Sequence, residues 1–280
     1  MVKIIVDIRR LYMMMGKFCV AGPTRTESKD LAGIMITALV FDLDDTLYDE
    51  VDYCRSGFTV VAGLVSKLPK APSAGQIFDT IWKHFASGNR KKTFNAALEE
   101  LGIAYDERLI RQLVRAYRNH APQITLPPDS KDVLEELSTK YTLGLLTDGF
   151  LPAQRLKVKA MGIEKYFRCI LYTEQLGREF WKPSPVGFEK LLANLNVKPE
   201  SAAYIADNAE KDFIAPNRLG FATIQIIRPA RIHISTSQQP GAAAKHVIDR
   251  IGQLPALLDE LARRPPATAR RSAETSAGDG

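Results

Sequence analysis

Cysteine is scarce in this chain: Cys19, Cys54 and Cys169 are the only three in 280 residues, widely separated and in no CxxC or Cys/His spacing. That pattern excludes a disulfide framework and a thiolate metal site, and it predicts a reducing compartment, the cytoplasm. Long apolar runs are missing as well. No uninterrupted stretch approaches the ~20 residues that cross a bilayer, and no apolar N-terminal segment leads into a small-residue cleavage site, so no membrane anchor is expected. The four histidines, His84, His120, His233 and His246, include no pair at helical metal spacing and are not expected to act as general bases. Excess charge is slight, at +6, and Arg263, Arg264, Arg270 and Arg271 carry part of it in the C-terminal tail. A solvated basic tail, not a nucleic-acid surface, is the expected reading.

What is present is enough apolar material to bury a core, 45% of the residues. Residues 1–34 lack strong periodicity and read as an N-terminal extension; Met35, just before the first strand, is the expected start of translation. Residues 35–50 and 121–262 alternate strand and helix patterns, with strands expected at 38–41, 143–147, 169–172, 203–206, 223–227 and 246–248. Helices are expected between them at 152–161, 185–195 and 211–219, and a last one at 254–261. This α/β rhythm predicts a parallel sheet covered on both faces. Between the two parts, residues 51–120 show apolar spacing of helical period (Phe58, Val61, Leu64, Val65; Ile77, Ile81, Trp82, Phe85; Leu109, Leu113, Tyr117), which predicts an all-helical insertion. Residues 263–280, rich in Pro, Ala, Ser, Thr and Gly, are expected to be disordered.

Chemistry is concentrated at strand ends. The apolar run 38–41 delivers Asp42-Leu43-Asp44-Asp45-Thr46 at its C-terminal end, where open α/β sheets place their sites. Asp42 can attack phosphorus, and Asp44, two residues on in a near-extended chain, can serve as the proton donor. Leu143 to Gly149 ends a second strand in Thr147-Asp148-Gly149, whose hydroxyl and backbone N–H groups of Asp148 and Gly149 suit phosphoryl oxygens. Lys182 precedes Pro183 at the mouth of a helix and can neutralise an attacking carboxylate and the charge growing on phosphate. Asp207 at a fourth strand end, Asp212 about one turn later, Asp42 and the Asp44 backbone carbonyl form a hard-oxygen set suited to magnesium.

Taken in this order, the four segments resemble the four motifs of the haloacid dehalogenase superfamily, in its phosphatase branch, over residues 36–261. The resemblance implies a Rossmann-like core with an inserted helical cap of the C1 type that opens and closes over the site. It also implies an aspartyl-phosphate intermediate, with Asp42 as nucleophile, Asp44 as general acid and then base, and Lys182, Thr147 and magnesium as the electrostatic support. An acid at position 44 favours phosphoryl transfer over attack on carbon. Two positions depart from the usual pattern: Ala206 stands where glycine is usual, and Asp148 where asparagine often stands, adding a carboxylate that would repel phosphate if it faced the site.

The expected activity is therefore magnesium-dependent hydrolysis of a small phosphorylated metabolite, with no nucleic-acid or membrane partner and with the oligomeric state left open. A phosphomutase, or a non-catalytic protein that binds a phosphorylated ligand on the same fold, are the alternatives. In the helical insertion, Tyr53, Arg55, Trp82, His84, Lys91 and Arg118 are candidate contacts to the leaving group, Trp82 being the one whose spacing fits a core position.

Overall fold

The computed structural model describes residues 35–232, 234 and 239–263. The expected extension at 1–34 with Cys19, the position His233 and the expected tail from residue 264 onward lie outside the described residues; Arg263 is the last residue of a helix. Six parallel strands form one sheet: β1 (Ala38–Phe41), β2 (Thr142–Thr147), β3 (Cys169–Tyr172), β4 (Ala202–Ala206), β5 (Ala222–Ile226) and β6 (His246–Ile248). Their order is β3-β2-β1-β4-β5-β6. From β1 the chain winds outward through β2 and β3, then crosses back to lay β4 on the other side of β1. That reversal is the topological switch point of a Rossmann-like sheet, and the crevice opens beyond the C-terminal ends of β1 and β4. Pairing of Phe41 with Leu145 and with Ile205 brings Asp42, Thr147 and Asp207 to that same end.

Side chains alternate across the sheet as the pleat requires. Leu39, Phe41, Leu145 and Ile205 enter a core with α5 (Pro128–Leu137), α6 (Ala153–Met161) and α9 (Leu254–Arg263). Val40, Leu146 and Tyr204 point to the opposite core, closed by α7 (Val186–Leu195) and α8 (Ile214–Leu219). Strand and helix bounds agree with expectation to within a residue or two, except for α8. A helix from residue 211 would put Pro216 in its interior, where proline removes a hydrogen bond and clashes with the preceding turn. Starting at Ile214 keeps Pro216 in the first turn, and residues 208–212 form a separate turn in which Asp212 N–H donates to the Asn208 carbonyl (2.9 Å).

Between β1 and α5 lie α1 (Glu50–Val65), α2 (Ala74–Ala86), α3 (Thr93–Glu100) and α4 (Glu107–Asn119). They pack about their own cluster, including Phe58, Val61, Ile77, Ile81, Leu98 and Leu113. Local signals set their starts: Ser73 and Gln76 make a capping box, and Asp106 accepts from Leu109 N–H (2.8 Å). Gly57 lets α1 meet α4, since a Cβ there would lie 2.4 Å from Tyr117 Cδ2. Trp82 packs against Phe58, Phe78 and Phe85, in keeping with its helical spacing. Among the described residues no helix is long and apolar enough to cross a membrane.

Candidate active site

After Asp42 the chain does not stay extended. Leu43 carbonyl accepts from Thr46 N–H (3.4 Å) and Leu47 N–H (3.0 Å), a single helical turn that tucks Leu43 and Leu47 fully into the core. Asp45 adopts a left-handed conformation (φ 51°), open to aspartate more readily than to most residues. Its carboxylate accepts from Glu50 N–H (2.9 Å) and Ile232 N–H (2.6 Å). Arg228 adds an ion pair to Asp49 (2.6 Å) and reaches the Thr46 carbonyl (3.4 Å), so the segment after β5 clamps the turn. Asp44 is thus placed by this turn and its clamps, not by strand alternation.

Below the turn, buried charges face one another. Lys182 Nζ donates to Asp42 Oδ1 (2.7 Å), meets Asp212 Oδ1 (2.7 Å) and donates to the Tyr204 hydroxyl (3.1 Å). Asp212 Oδ2 accepts from Asn208 N–H (2.9 Å), so both of its oxygens are engaged. Asp42 Oδ2 has no hydrogen-bond partner among the described residues, and Asp207 Oδ2 is buried without one. Oxygens of Asp42, Asp207 and Asp212 lie within 4.8 Å of one another. Three carboxylates crowd around the Lys182 ammonium, with Lys211 as a further cation at the cavity wall. Burial, with Asp212 and Asp42 as negative neighbours, pushes Asp207 up to about 9. Burial likewise pushes Asp42 up to about 7, against the pull of Lys182. An orphaned carboxylate oxygen in an all-oxygen, electron-rich site fits a hard divalent cation. Asp207 and Asp42 have oxygens to offer it, whereas both oxygens of Asp212 are engaged, one of them by Lys182.

The second strand end supplies a different network. Gln154, in the first turn of α6, donates from Nε2 to the Thr147 hydroxyl (2.6 Å), the Asp148 carbonyl (2.9 Å) and Asp44 Oδ2 (2.8 Å). Thr147 accepts there and makes only a long donation of its own, to the Asp148 carbonyl (3.4 Å). Gly149 (φ 140°) is required twice, by its backbone and because a Cβ would lie 2.7 Å from Gln154 Cδ. The Asp148 carboxylate accepts from Thr173 Oγ1 (2.8 Å) and Lys182 N–H (3.2 Å), with Lys211 Nζ at 3.4 Å. Its charge is spent on anchoring the Lys182 backbone, which answers the repulsion that its position in the motif raises. Ala206 sits wholly buried in β4, its methyl absorbed by the core beneath the sheet.

Asp44 is held on three sides. Its Oδ1 accepts from Lys157 Nζ (2.7 Å) and the Tyr48 hydroxyl (2.5 Å), and Gln154 holds Oδ2. Burial raises its pKa, but Lys157 and these hydrogen bonds outweigh burial and hold the carboxyl below the usual range. Lys157 is itself 3% exposed, 3.5 Å from Glu50 and 4.1 Å above the Tyr53 ring. Sequence reasoning singled out neither Gln154 nor Lys157. The available signal was positional: both fall on the α6 stripe with Ala153, Val158 and Met161, where a helical period calls for apolar residues.

Two cavities meet at Asp44. A small one of about 130 Å³ is lined by Asp42, Asp44, Asp45, Asp148, Asp207 and Lys211 among others. A larger one of about 350 Å³ lies between the helical insertion and the β2–α6 turn and shares Asp44, Glu50 and Asp148 with it. Of the insertion's candidate contacts, Tyr53, Lys91 and Arg118 line the larger cavity. Arg55 instead stacks on Trp82 (4.2 Å), and His84 pairs with Glu100 (2.9 Å). His120 is engaged by the Tyr117 carbonyl (2.6 Å) and Ser56 Oγ (3.0 Å), a packing role. Cys54 lies buried, its thiol pushed up to about 12, which leaves it inert.

A parallel sheet with its switch point between β1 and β4 brings an aspartate, a lysine and an acidic pair to one edge, the place where α/β enzymes of this topology carry their sites. Residues 39–226 match the haloacid dehalogenase-like hydrolase family. The chain is 30% identical over 202 residues, 69% of its own length and 85% of the relative's, to glyceraldehyde 3-phosphate phosphatase of Methanopyrus kandleri. It is 28% identical over 243 residues, 79% of its length and 98% of the relative's, to ribulose-1,5-bisphosphate 5-phosphatase of Halopiger xanaduensis. The fold is shared with the magnesium-bound HAD-hydrolase YfnB of Bacillus subtilis (TM-score 0.57, 20% identity, 80% of this chain and 99% of that one). The chain belongs to the haloacid dehalogenase-like hydrolase family and is a phosphoric monoester hydrolase.

Proposed function

We propose that the protein hydrolyses a small phosphorylated metabolite through an aspartyl-phosphate on Asp42, with magnesium as cofactor. The observation that carries this reading is the buried Lys182 ammonium 2.7 Å from Asp42 Oδ1, with the second Asp42 oxygen unpartnered among the described residues and Asp42 lining the small cavity. The lysine keeps one oxygen anionic and fixed while the other is presented to phosphorus. Attack by Asp42 forms the acyl-phosphate bond as the ester P–O bond breaks, and the departing alkoxide takes a proton from Asp44. In the second half Asp44 takes a proton from water as the oxygen adds to phosphorus, which returns Asp42 and releases inorganic phosphate. Thr147 and the backbone N–H groups of Asp148 and Gly149 receive the phosphoryl oxygens.

Asp44 suits both halves because it borders both cavities: phosphate sits on one side of it and the leaving alcohol on the other. Its triple hold by Lys157, Gln154 and Tyr48 fixes the carboxylate at that junction. Asp207, Asp42 and the Asp44 carbonyl are the groups that would hold magnesium, which when bound supplies positive charge to the phosphoryl oxygens. The helical insertion is read as a cap, and the chain as a cytoplasmic enzyme without a nucleic-acid or membrane partner.

The test is magnesium-dependent phosphate release from p-nitrophenyl phosphate and a panel of metabolite monoesters, with Asp42→Asn beside the wild type. The isosteric variant is expected to lose at least ~10³-fold in turnover while keeping its fold, as nucleophile removal does elsewhere. Release of free alcohol with phosphate, and no isomerised ester, identifies a hydrolase and not a mutase. Turnover that survives Asp42→Asn would sink the reading.

A further inference from the structure

The larger cavity carries a charge pattern that phosphate transfer alone does not use. Its acidic residues Asp44, Glu50 and Asp148 also border the small cavity, and Lys157 answers the first two. Its remaining cations, Arg90, Lys91 and Arg118, line only the larger cavity. None of the three has a hydrogen bond or ion pair to a carboxylate among the described residues. Arg90 and Lys91 are exposed and solvated, but Arg118 is half-buried.

Arg118 lies with its guanidinium 3.4 Å from the Phe150 ring centroid. Arg178 lies 4.3 Å from the same ring, and the nearby carboxylate Glu174 is engaged with Arg178 at 3.6 Å. Burial and the adjacent Arg178 charge draw the Arg118 pKa down, against the pull of Glu174. Around it the walls are Tyr53, Phe58, Phe94 and Tyr117, surfaces for a short carbon skeleton. A planar fork of donors held over an aromatic ring, with no acceptor of its own, is a receptor for a carboxylate or phosphate.

We propose that this cavity receives the alcohol portion of a phosphate monoester bearing a second anionic group, a carboxylate or a second phosphate, and that Arg118 binds that group. The proposal rests on the phosphatase reading. Asp44 then stands between the phosphate to be cleaved and a leaving group anchored at its far end, which orients the bridging oxygen toward the proton donor. Arg90 and Lys91 at the rim raise the local concentration of doubly anionic esters without fixing them.

The experiment compares kcat/KM for propyl phosphate, 3-phosphooxypropanoate and propane-1,3-diol bisphosphate, with p-nitrophenyl phosphate as a probe of the chemistry itself. At least one charged ester is expected to exceed propyl phosphate by about 10- to 100-fold, the scale of a charge-assisted hydrogen-bonded pair; which one wins distinguishes carboxylate from phosphate. Arg118→Gln should bring that ratio toward one chiefly through KM, Arg118→Lys should restore part of it, and the exposed Lys91→Gln should lower it by about 2-fold, as a rim charge does. If propyl and p-nitrophenyl phosphates turn over and neither charged ester is preferred, or if the preference survives Arg118→Gln, the subsite is refuted while the phosphatase stands. No turnover of any ester removes the phosphatase reading and this one with it.

Discussion

The strand ends and the cavity beneath the helical insertion handle charge in opposite ways. At the strand ends Asp42, Asp212, Lys182 and Asp148 are nearly or wholly buried and hold one another through short contacts that β1, β2 and β4 set in register. In the cavity the charges that matter are exposed or half-buried, carried on α4 and on the connection between α2 and α3 of an insertion with a separate apolar core, and lack partners of opposite sign among the described residues. Chemistry is therefore built into the sheet, where a side chain cannot move without breaking a buried ion pair. Recognition is built on a layer whose surface can change while its core stays intact. Lys182→Met should show the first half of this contrast most strongly. It leaves Asp42 and Asp212 buried without their direct ion-pair partner, so urea unfolding should show a loss of about 3–5 kcal/mol, and phosphate release should become undetectable. A variant that stays as stable as wild type would mean that the strand-end charges are far better hydrated than their burial indicates.

Lys157 belongs to the sheet side of the comparison in burial but to the cavity side in position, and its replacement separates the two. Lys157→Met keeps the apolar stem and removes the cation that holds Asp44 low. For alkyl phosphates kcat should fall by about 10- to 100-fold, the usual worth of a positioned acid–base group. The loss should be smaller with p-nitrophenyl phosphate, whose leaving group needs little protonation. Without the ammonium, the Asp44 pKa rises, so the limb of the kcat/KM profile that falls with pH, set by ionisation of this proton donor, should move to higher pH. An unmoved limb, with kcat reduced equally for both ester types, would leave Lys157 a packing residue only.

These two regions also differ in how far the sequence revealed them. Asp42, Thr147 and Asp207 were legible because each ends or follows an apolar run, and parallel strands necessarily bring their C-terminal ends to one edge; Lys182 was legible from its place before Pro183 at the mouth of a helix. What Asp44 touches was not legible. Its place depends on a helical turn closed by Leu43 and Leu47 and clamped by Arg228 and Ile232, residues far along the chain that no local period marks. Gln154 and Lys157 were hidden for a related reason: a polar residue in an apolar stripe looks like surface until the partner across the gap is known. In the insertion, spacing identified Trp82 as core, but it could not divide Lys91 and Arg118, which reach the cavity, from Arg55 and His84, which find partners within the insertion. Charge alone carries no direction.

The smallest expected effect sharpens the electrostatic side of the comparison, because it depends on the strand-end carboxylates alone. Asp207 and Asp42 have folded-state pKa values raised to about 9 and about 7 from 3.8, so the cation-free fold is at its most stable, on their account, below about pH 4. That contribution is lost as pH rises through 7 and then 9 and the buried groups are forced to ionise beside Asp212. A divalent cation reverses the penalty by favouring the ionised carboxylates, and it must displace protons to bind at lower pH. Thermal unfolding with and without magnesium should therefore show a stabilisation that grows between pH 6 and pH 8.5, by about 2–4 °C for each ~1 kcal/mol relieved. Asp207→Asn, which removes the charge and the orphaned oxygen's demand for a cation, should raise the cation-free melting temperature at pH 8.5 and flatten the response to magnesium. A magnesium shift that is the same at both pH values, or one that persists in Asp207→Asn, would place the cation somewhere other than this carboxylate set.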